Sequence, residues 1–197
     1  MVTSGGLRER RRAQTRQEIA AVAVDLFERQ GFEATTVEQI AAAADVSPRT
    51  FFRYFETKVE ILLPSLPDER PDLEDRIAAR PAGESPIDAV HHVLREELQQ
   101  VLAEDPLSAR QYRLMLSTPA LRSLALQHFH EHMEEMARVF ATRLGTPAGA
   151  LQPQIMAAAV SGSIWAVLDH WVAHGGATDD LLPLFDEGFA LLRASLR

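Results

Sequence analysis

Apolar residues recur along this chain at the spacing of helix faces, and the first 60 positions carry the clearest punctuation. Within residues 15–30, Ile19, Val22, Ala23, Leu26 and Phe27 fall at i, i+3, i+4, i+7 and i+8, which predicts one buried stripe on a first helix. Gly31 can take positive φ to end that helix, and Phe32 stands where an apolar contact closes such an end. Thr36-x-x-Gln39 is a capping box that opens a second helix, with Val37, Ile40, Ala41 and Ala44 expected inward. The four alanines at 41–44 let another helix approach closely. Asp45-Val46 supplies a turn, with Val46 as an apolar pin. Ser47 as N-cap and Pro48 at the first helical position open a third helix. In it Phe51 and Phe55 lie one turn apart as core, while Arg49 and Arg53 lie one turn apart on another side, with Thr50 beside Arg49. Thr57-x-x-Glu60 caps a fourth helix.

Helix, tight turn and a helix with one greasy and one basic side is the layout of a helix-turn-helix DNA reader. It is also that of an ordinary three-helix bundle with a solvated arginine face. The net charge of −8 counts against DNA binding until its distribution is considered. Residues 1–60 hold nine Lys/Arg and nine Asp/Glu, whereas residues 61–197 hold eleven and nineteen. Arg8, Arg10, Arg11, Arg12 and Arg16 cluster with only Glu9 among them, a local basic arm on an acidic body. Such an arm wraps phosphates or enters a minor groove.

Residues 35–62, TTVEQIAAAADVSPRTFFRYFETKVEIL, resemble the signature of the TetR-type transcriptional regulators, and the likeness covers residues 13–62. The resemblance implies an all-α protein, with a three-helix helix-turn-helix DNA-binding domain over residues 8–57 and a helical effector-binding and dimerisation domain over 58–197. It implies phosphate contact by Thr35 or Thr36 at the start of the second helix. It places Ser47, Pro48, Arg49, Thr50 and Arg53 where family members face bases, and Tyr54 and Lys58 where they hold phosphate. Phe52 occupies a position where the family usually has a tyrosine whose hydroxyl meets phosphate. That hydroxyl is missing here, leaving an apolar contact to sugar or a thymine methyl.

Five of the eleven prolines fall between Pro64 and Pro86. Pro64 and Pro67 are expected to end or kink the family's connector helix early, leaving a separate piece at 72–79. Helices are then predicted at 87–102, 107–116, 121–144, 151–174 and 180–196. Val90, Leu94, Leu98 and Val101 line the first of these, and Leu126, Phe129, Met133, Met136 and Phe140 stripe the third. Gly175-Gly176 stops the fourth, and Pro183 is expected in the first turn of the last, where proline is tolerated. The last two are apolar nearly all round, with Ala157, Val160, Ile164, Leu168 and Trp171 on one side and Ala158, Gly162, Trp165 and Ala166 on another. A helix of that kind is buried on two sides. In the family, these two helices make a homodimer interface that sets two reading heads on a palindromic double-stranded operator.

By the same resemblance, a pocket for a small, largely apolar effector is expected among Tyr112, Met115, Leu116, Phe129, Met133, Trp165 and Trp171, any of which also reads as plain core. His128/His132 and His170/His174 have the i, i+4 spacing of a chelate, and equally of solvated polar faces; His91-His92 precede Glu96 by about one turn. The second reading is taken, and no metal or cofactor is assigned. The absence of cysteine rules out disulfides, thiol switches and Cys zinc sites. No nucleophile elbow, phosphate loop or zinc helix motif is present, so no enzymatic activity is expected. The apolar run 155–168 is shorter than a membrane span, and the Arg-rich N-terminus lacks a signal-peptide pattern. The expected location is therefore cytoplasmic. The competing reading is a small-molecule or metal-binding sensor with little DNA affinity of its own.

Overall fold

The computed structural model describes residues 4–62, 73–104, 107–147 and 149–195, with side chains outside 4–10 and 123–131. Every regular element among them is helical: α1 (Ser4–Gln30), α2 (Val37–Ala43), α3 (Pro48–Phe51), a 3-10 turn (Glu60–Leu62), α4 (Leu73–Ala78), α5 (Pro86–Glu104), α6 (Leu107–Ser117), α7 (Pro119–Leu144), α8 (Leu151–Ala173) and α9 (Thr178–Ser195). The chain gathers into two compact units, Met1–Ser65 with Arg110–Thr118, and Leu66–Ala109 with Pro119–Arg197.

In the first unit α1 packs on α2 and on the 3-10 turn, and α2 packs on α3. The basic arm is helical backbone continuous with α1 rather than a separate strand of chain. The buried stripe of α1 is Ile19, Ala20, Ala23, Val24 and Phe27, while Val22 and Leu26 are only half-buried. Gly31 ends α1 at φ 88°, its amide bonded to the Phe27 carbonyl, and the Phe32 ring packs 5.0 Å from that of Phe27. From α6, Arg110 forms ion pairs with Asp25 at 2.6 Å and with Glu28, Arg113 pairs with Glu28 at 2.7 Å, and Gln111 donates to the Ile61 carbonyl at 2.6 Å. The hydrogen bond from Arg110 leads in holding the Glu28 carboxyl below the usual range. Thr57 accepts the Glu60 amide as the capping box requires, but the element that follows is a 3-10 turn, and Glu60 reaches back to the Glu56 amide at 2.7 Å. The expected break at Pro64 and Pro67 lies outside the described residues.

The second unit packs α7 on α8, α8 on α9, and α4, α5, α7 and α9 around a shared core of Ile77, Val90, Val93, Met136, Phe140, Val160, Phe185 and Phe189. Met133 packs at its edge. The side chains of Leu126 and Phe129 lie outside the described residues. Gly188 sits where α9 meets Val167 of α8. Helix α9 starts at Thr178, so Pro183 lies beyond the first turn, not within it as the spacing suggested; the ring removes an amide donor there. Between α5 and α9 runs a polar seam. His91 Nε2 meets Asp186 at 2.9 Å, Arg95 Nε donates to both Asp186 oxygens at 2.9 Å, and Arg193 pairs with Asp88 at 3.1 Å. Helix α8 is longer than the apolar run inside it; by length and composition alone it is long and apolar enough to cross a membrane, with 28% of its most apolar window buried.

Candidate nucleic-acid interface

The turn between α2 and α3 is built from backbone up. Asp45 takes φ 55°, its amide bonds the Ala42 carbonyl at 3.3 Å, and the Val46 amide bonds the Ala41 carbonyl at 2.9 Å. These are the two bonds of a Schellman ending, with Asp45 where glycine is commonest. At the other end of α2, the Thr36 hydroxyl accepts the Gln39 amide and the Gln39 side chain accepts the Thr36 amide, completing the capping box. Ser47 caps α3 by accepting the Thr50 amide at 3.0 Å, and the two hydroxyls pair at 2.9 Å.

Helix α3 is a single turn. Beyond Phe51 the chain tightens, with the Arg53 and Tyr54 amides bonding three residues back to Thr50 and Phe51. Phe51 and Phe55 are nonetheless buried together, rings 5.5 Å apart. With those rings facing inward, Pro48, Arg49, Phe52 and Arg53 are exposed and Thr50 is half-buried. Arg53 Nη2 donates to the Tyr54 hydroxyl at 3.2 Å and its guanidinium lies 5.0 Å from the Tyr54 ring centre. That bond, with smaller contributions from Thr15 and from the charges of Arg53 and Arg12, holds the Tyr54 phenol below its ordinary pKa. Arg11 and Arg12 are exposed, whereas the side chains of Arg8 and Arg10 lie outside the described residues.

Three residues of the basic or polar set are turned inward. Arg16 donates to the Tyr54 carbonyl, pairs with Glu60 at 3.0 Å and stacks 4.2 Å over Phe55. Thr35 is 1% exposed; its hydroxyl donates to the Gly31 carbonyl at 2.8 Å and accepts from Gln30, leaving Thr36 as the exposed threonine of the pair. The Lys58 ammonium donates to the carbonyls of Phe32 at 2.8 Å, Thr35 at 3.0 Å and Glu33 at 3.4 Å, and lies 4.4 Å from the centre of the Phe32 ring. All three of its donors face the α1–α2 connection.

The expected pocket residues are divided between the two compact units. Tyr112, Met115 and Leu116 belong to the first unit, and Met133, Trp165 and Trp171 to the second. Trp171 is a core residue, 1% exposed with its indole N–H on the Ala177 carbonyl at 2.6 Å. Met133 lines a groove of about 590 Å³ between α7 and α8, beside Ala137, Leu151 and Ile155. Phe129 lies outside the described side chains. His170 and His174 stack 4.0 Å apart, His174 Nδ1 lying 2.8 Å from the His170 carbonyl. Among the described residues no group of three or more His, Asp or Glu side chains gathers as a metal site. What the spacing did not reveal was the α6 clamp. Arg110 and Arg113 stand one turn apart, but their partners lie more than 80 residues upstream.

The family model described as "Bacterial regulatory proteins, tetR family" matches residues 19–63, and that described as "MftR C-terminal domain" matches residues 84–197. The chain is 37% identical over 146 residues to the HTH-type transcriptional regulator TcmR of Streptomyces glaucescens, covering 71% of this chain and 65% of that one, so less than two thirds of that relative is spanned. Its fold is similar to that of NalD, the secondary repressor of a Pseudomonas aeruginosa multidrug efflux pump (TM-score 0.63, 22% identity, 90% of this chain and 96% of that one). It is likewise similar to SmeT of Stenotrophomonas maltophilia, solved with triclosan (TM-score 0.64, 22% identity, 92% and 91%).

Proposed function

Because this chain belongs to the TetR family of bacterial regulatory proteins and is a transcriptional regulator, we propose that it represses by gripping a palindromic operator as a homodimer and lets go when a small, largely apolar effector binds. The observation that carries the DNA half is the exposed pair of Arg49 in α3 and Arg53 two residues past its end, behind a capped α2 and a Schellman turn. A guanidinium in that place forks onto guanine O6 and N7 in the major groove. Thr36, Tyr54 and the Arg11–Arg12 arm set the register on phosphate. Lys58 contributes by holding the loop before α2. In this reading residues 8–57 form the head, and residues 58–197 the effector and dimer body.

The homodimer is supported by apolar side chains left in the open on α8 and α9, namely Leu151, Ile155 and Leu191, alongside the exposed small residues Ala158, Gly162 and Ala166. Covering such a strip with its own copy generates a two-fold axis, and hence two heads. A triclosan complex of SmeT supports an apolar effector. Effector and operator then oppose each other by linkage. The location proposed is the cytoplasm, with α8 covered by protein rather than lipid, and no catalytic role is assigned.

The deciding experiment is selection of genomic fragments by the purified protein, followed by anisotropy titration of the enriched duplex at two salt concentrations. Enrichment of a palindrome bound by a dimer, with affinity falling steeply as salt rises, is the expected result. Failure to enrich any sequence, or binding that ignores salt, would overturn the reading.

A further inference from the structure

We infer that Arg16 is a positioning residue for operator reading: it fixes the backbone of Tyr54 and, through Tyr54, the exposed Arg53. This rests on the operator-binding reading above and deepens it. Helix α3 is a single turn, and one turn fixes several dihedrals for few bonds of its own. What anchors its two ends therefore decides where Arg49, Arg53 and Tyr54 stand. Ser47 anchors the front as N-cap. At the back, the Tyr54 carbonyl accepts from Nη1 of Arg16, a residue of α1 that lies 38 positions earlier. The same guanidinium pairs through Nη2 with Glu60 at 3.0 Å and lies 4.2 Å from the centre of the Phe55 ring. The second oxygen of Glu60 accepts the Glu56 amide at 2.7 Å. Arg16 and Glu60 thus hold both ends of the turn 54–60 against α1, and Phe55 carries the contact on to the fully buried Phe51 of α3.

Arg16 is half-buried, whereas Arg11 and Arg12 of the same basic cluster are exposed. Its charge is directed at a carbonyl and a carboxylate of the protein, a pairing that suits the planar fork of a guanidinium better than the point charge of a lysine. Tyr54 is held on its carbonyl from α1, and its hydroxyl in turn accepts from Nη2 of Arg53 at 3.2 Å. A shift of the Tyr54 backbone is therefore passed to the Arg53 guanidinium. A two-bond fork onto guanine tolerates little misplacement, so the grip of Arg16 bears on base reading although Arg16 itself reads no base.

The test titrates full-length wild type, Arg16→Met, Glu60→Gln, Arg53→Ala and the double variant Arg16→Met/Arg53→Ala against operator and scrambled duplexes at two salt concentrations. Anisotropy reads the binding, and circular dichroism confirms that each variant is folded. Methionine keeps an apolar stem over Phe55 and removes the donors. A base-edge fork is worth roughly five- to a hundredfold in discrimination. Arg16→Met is accordingly expected to weaken the operator complex by about tenfold, to leave the scrambled duplex and the salt slope unchanged, and to add nothing once Arg53 is alanine. Glu60→Gln removes a negative charge from the head, which by charge alone tightens DNA binding; the expected result is the opposite, a weaker operator complex. Equal losses on both duplexes with a salt slope shallower by about one per phosphate would make Arg16 a phosphate contact and overturn the inference. A loss that persists in full beside Arg53→Ala, or a Glu60→Gln variant that binds the operator more tightly, would overturn it too, with operator binding left intact. Should Arg16→Met fail to fold, Glu60→Gln alone and combined with Arg53→Ala decides by the same criteria. Absence of any sequence-specific complex in wild type would instead overturn the operator reading, and this inference with it.

Discussion

The ammonium of Lys58 lies 3.0 Å from the backbone carbonyl of Thr35, 23 residues away in sequence, and 2.8 Å from that of Phe32. The half-buried charge thus stitches the segment between α3 and the 3-10 turn to the loop that launches α2. Replacing it as Lys58→Met leaves these carbonyls without their charged donor, a loss of roughly 1.5–3 kcal/mol for a charge-assisted bond. Urea unfolding of the DNA-free protein should show that drop, and DNA affinity should fall alike on cognate and scrambled duplexes. An unchanged unfolding midpoint would return Lys58 to a purely phosphate-facing role.

Among the described residues Arg49 makes no hydrogen bond that ties it to the protein surface in the way Arg53 is tied to Tyr54, and it is exposed at the first turn of α3. Arg49→Ala is expected to cost about 1–3 kcal/mol of discrimination between the right and wrong base, with little effect on scrambled DNA. The ratio of the two affinities is the quantity to measure. Equal losses on both would rule out base reading by this side chain.

Gly188 admits α8 so closely that a Cβ built on it would lie 2.4 Å from Cγ2 of Val167. Gly188→Ala should destabilise by about 1–3 kcal/mol through overpacking. Adding Val167→Ala should recover most of the loss, and thermal or urea melts of the single and double variants would show this. A single variant as stable as wild type would mean that α8 and α9 part without strain.

His91 is 8% exposed, stacked on Phe189 at 4.5 Å, with Asp186 on Nε2 and Arg193 facing Nδ1. Burial is the largest influence on it and pushes its pKa below 6.5, against the pull of Asp186 and with the charges of Arg193 and His92. Burial alone would raise Asp186, but hydrogen bonds from Arg95 and then His91 bring it below its ordinary value. The sign for His91 follows from the unfolded chain binding the proton more readily than the folded one. Stability is therefore full above pH about 6.5 and declines as pH falls toward the folded pKa. Unfolding free energies measured from pH 7.5 to 5.5 should show that decline, and His91→Gln should flatten it. The same slope in the variant would assign the effect to another group.

Much of the head was written locally. Gly31, the Thr36/Gln39 box and Ser47-Pro48 each act within four residues, so short-range sterics and amide accounting decide them before any tertiary contact exists. The helix positions of the body followed from periodicity for the same reason. Which side of α1 is deepest did not: Val24 outranks Val22 and Leu26 because the neighbouring α2 and the 3-10 turn choose the face.

The sequence by itself determined the all-helical class, the caps, the turn at Asp45 and the residues that stand outward on α3, because these depend on neighbours along the chain. Tertiary structure alone decided that Thr35 is buried while Thr36 is exposed, that Lys58 spends its donors on carbonyls, that Trp171 is core, and that Arg110 and Arg113 close on Asp25 and Glu28. Lys58 reaches carbonyls 23 to 26 residues away and Arg110 reaches carboxylates 82 to 85 residues away, and no local spacing carries that information.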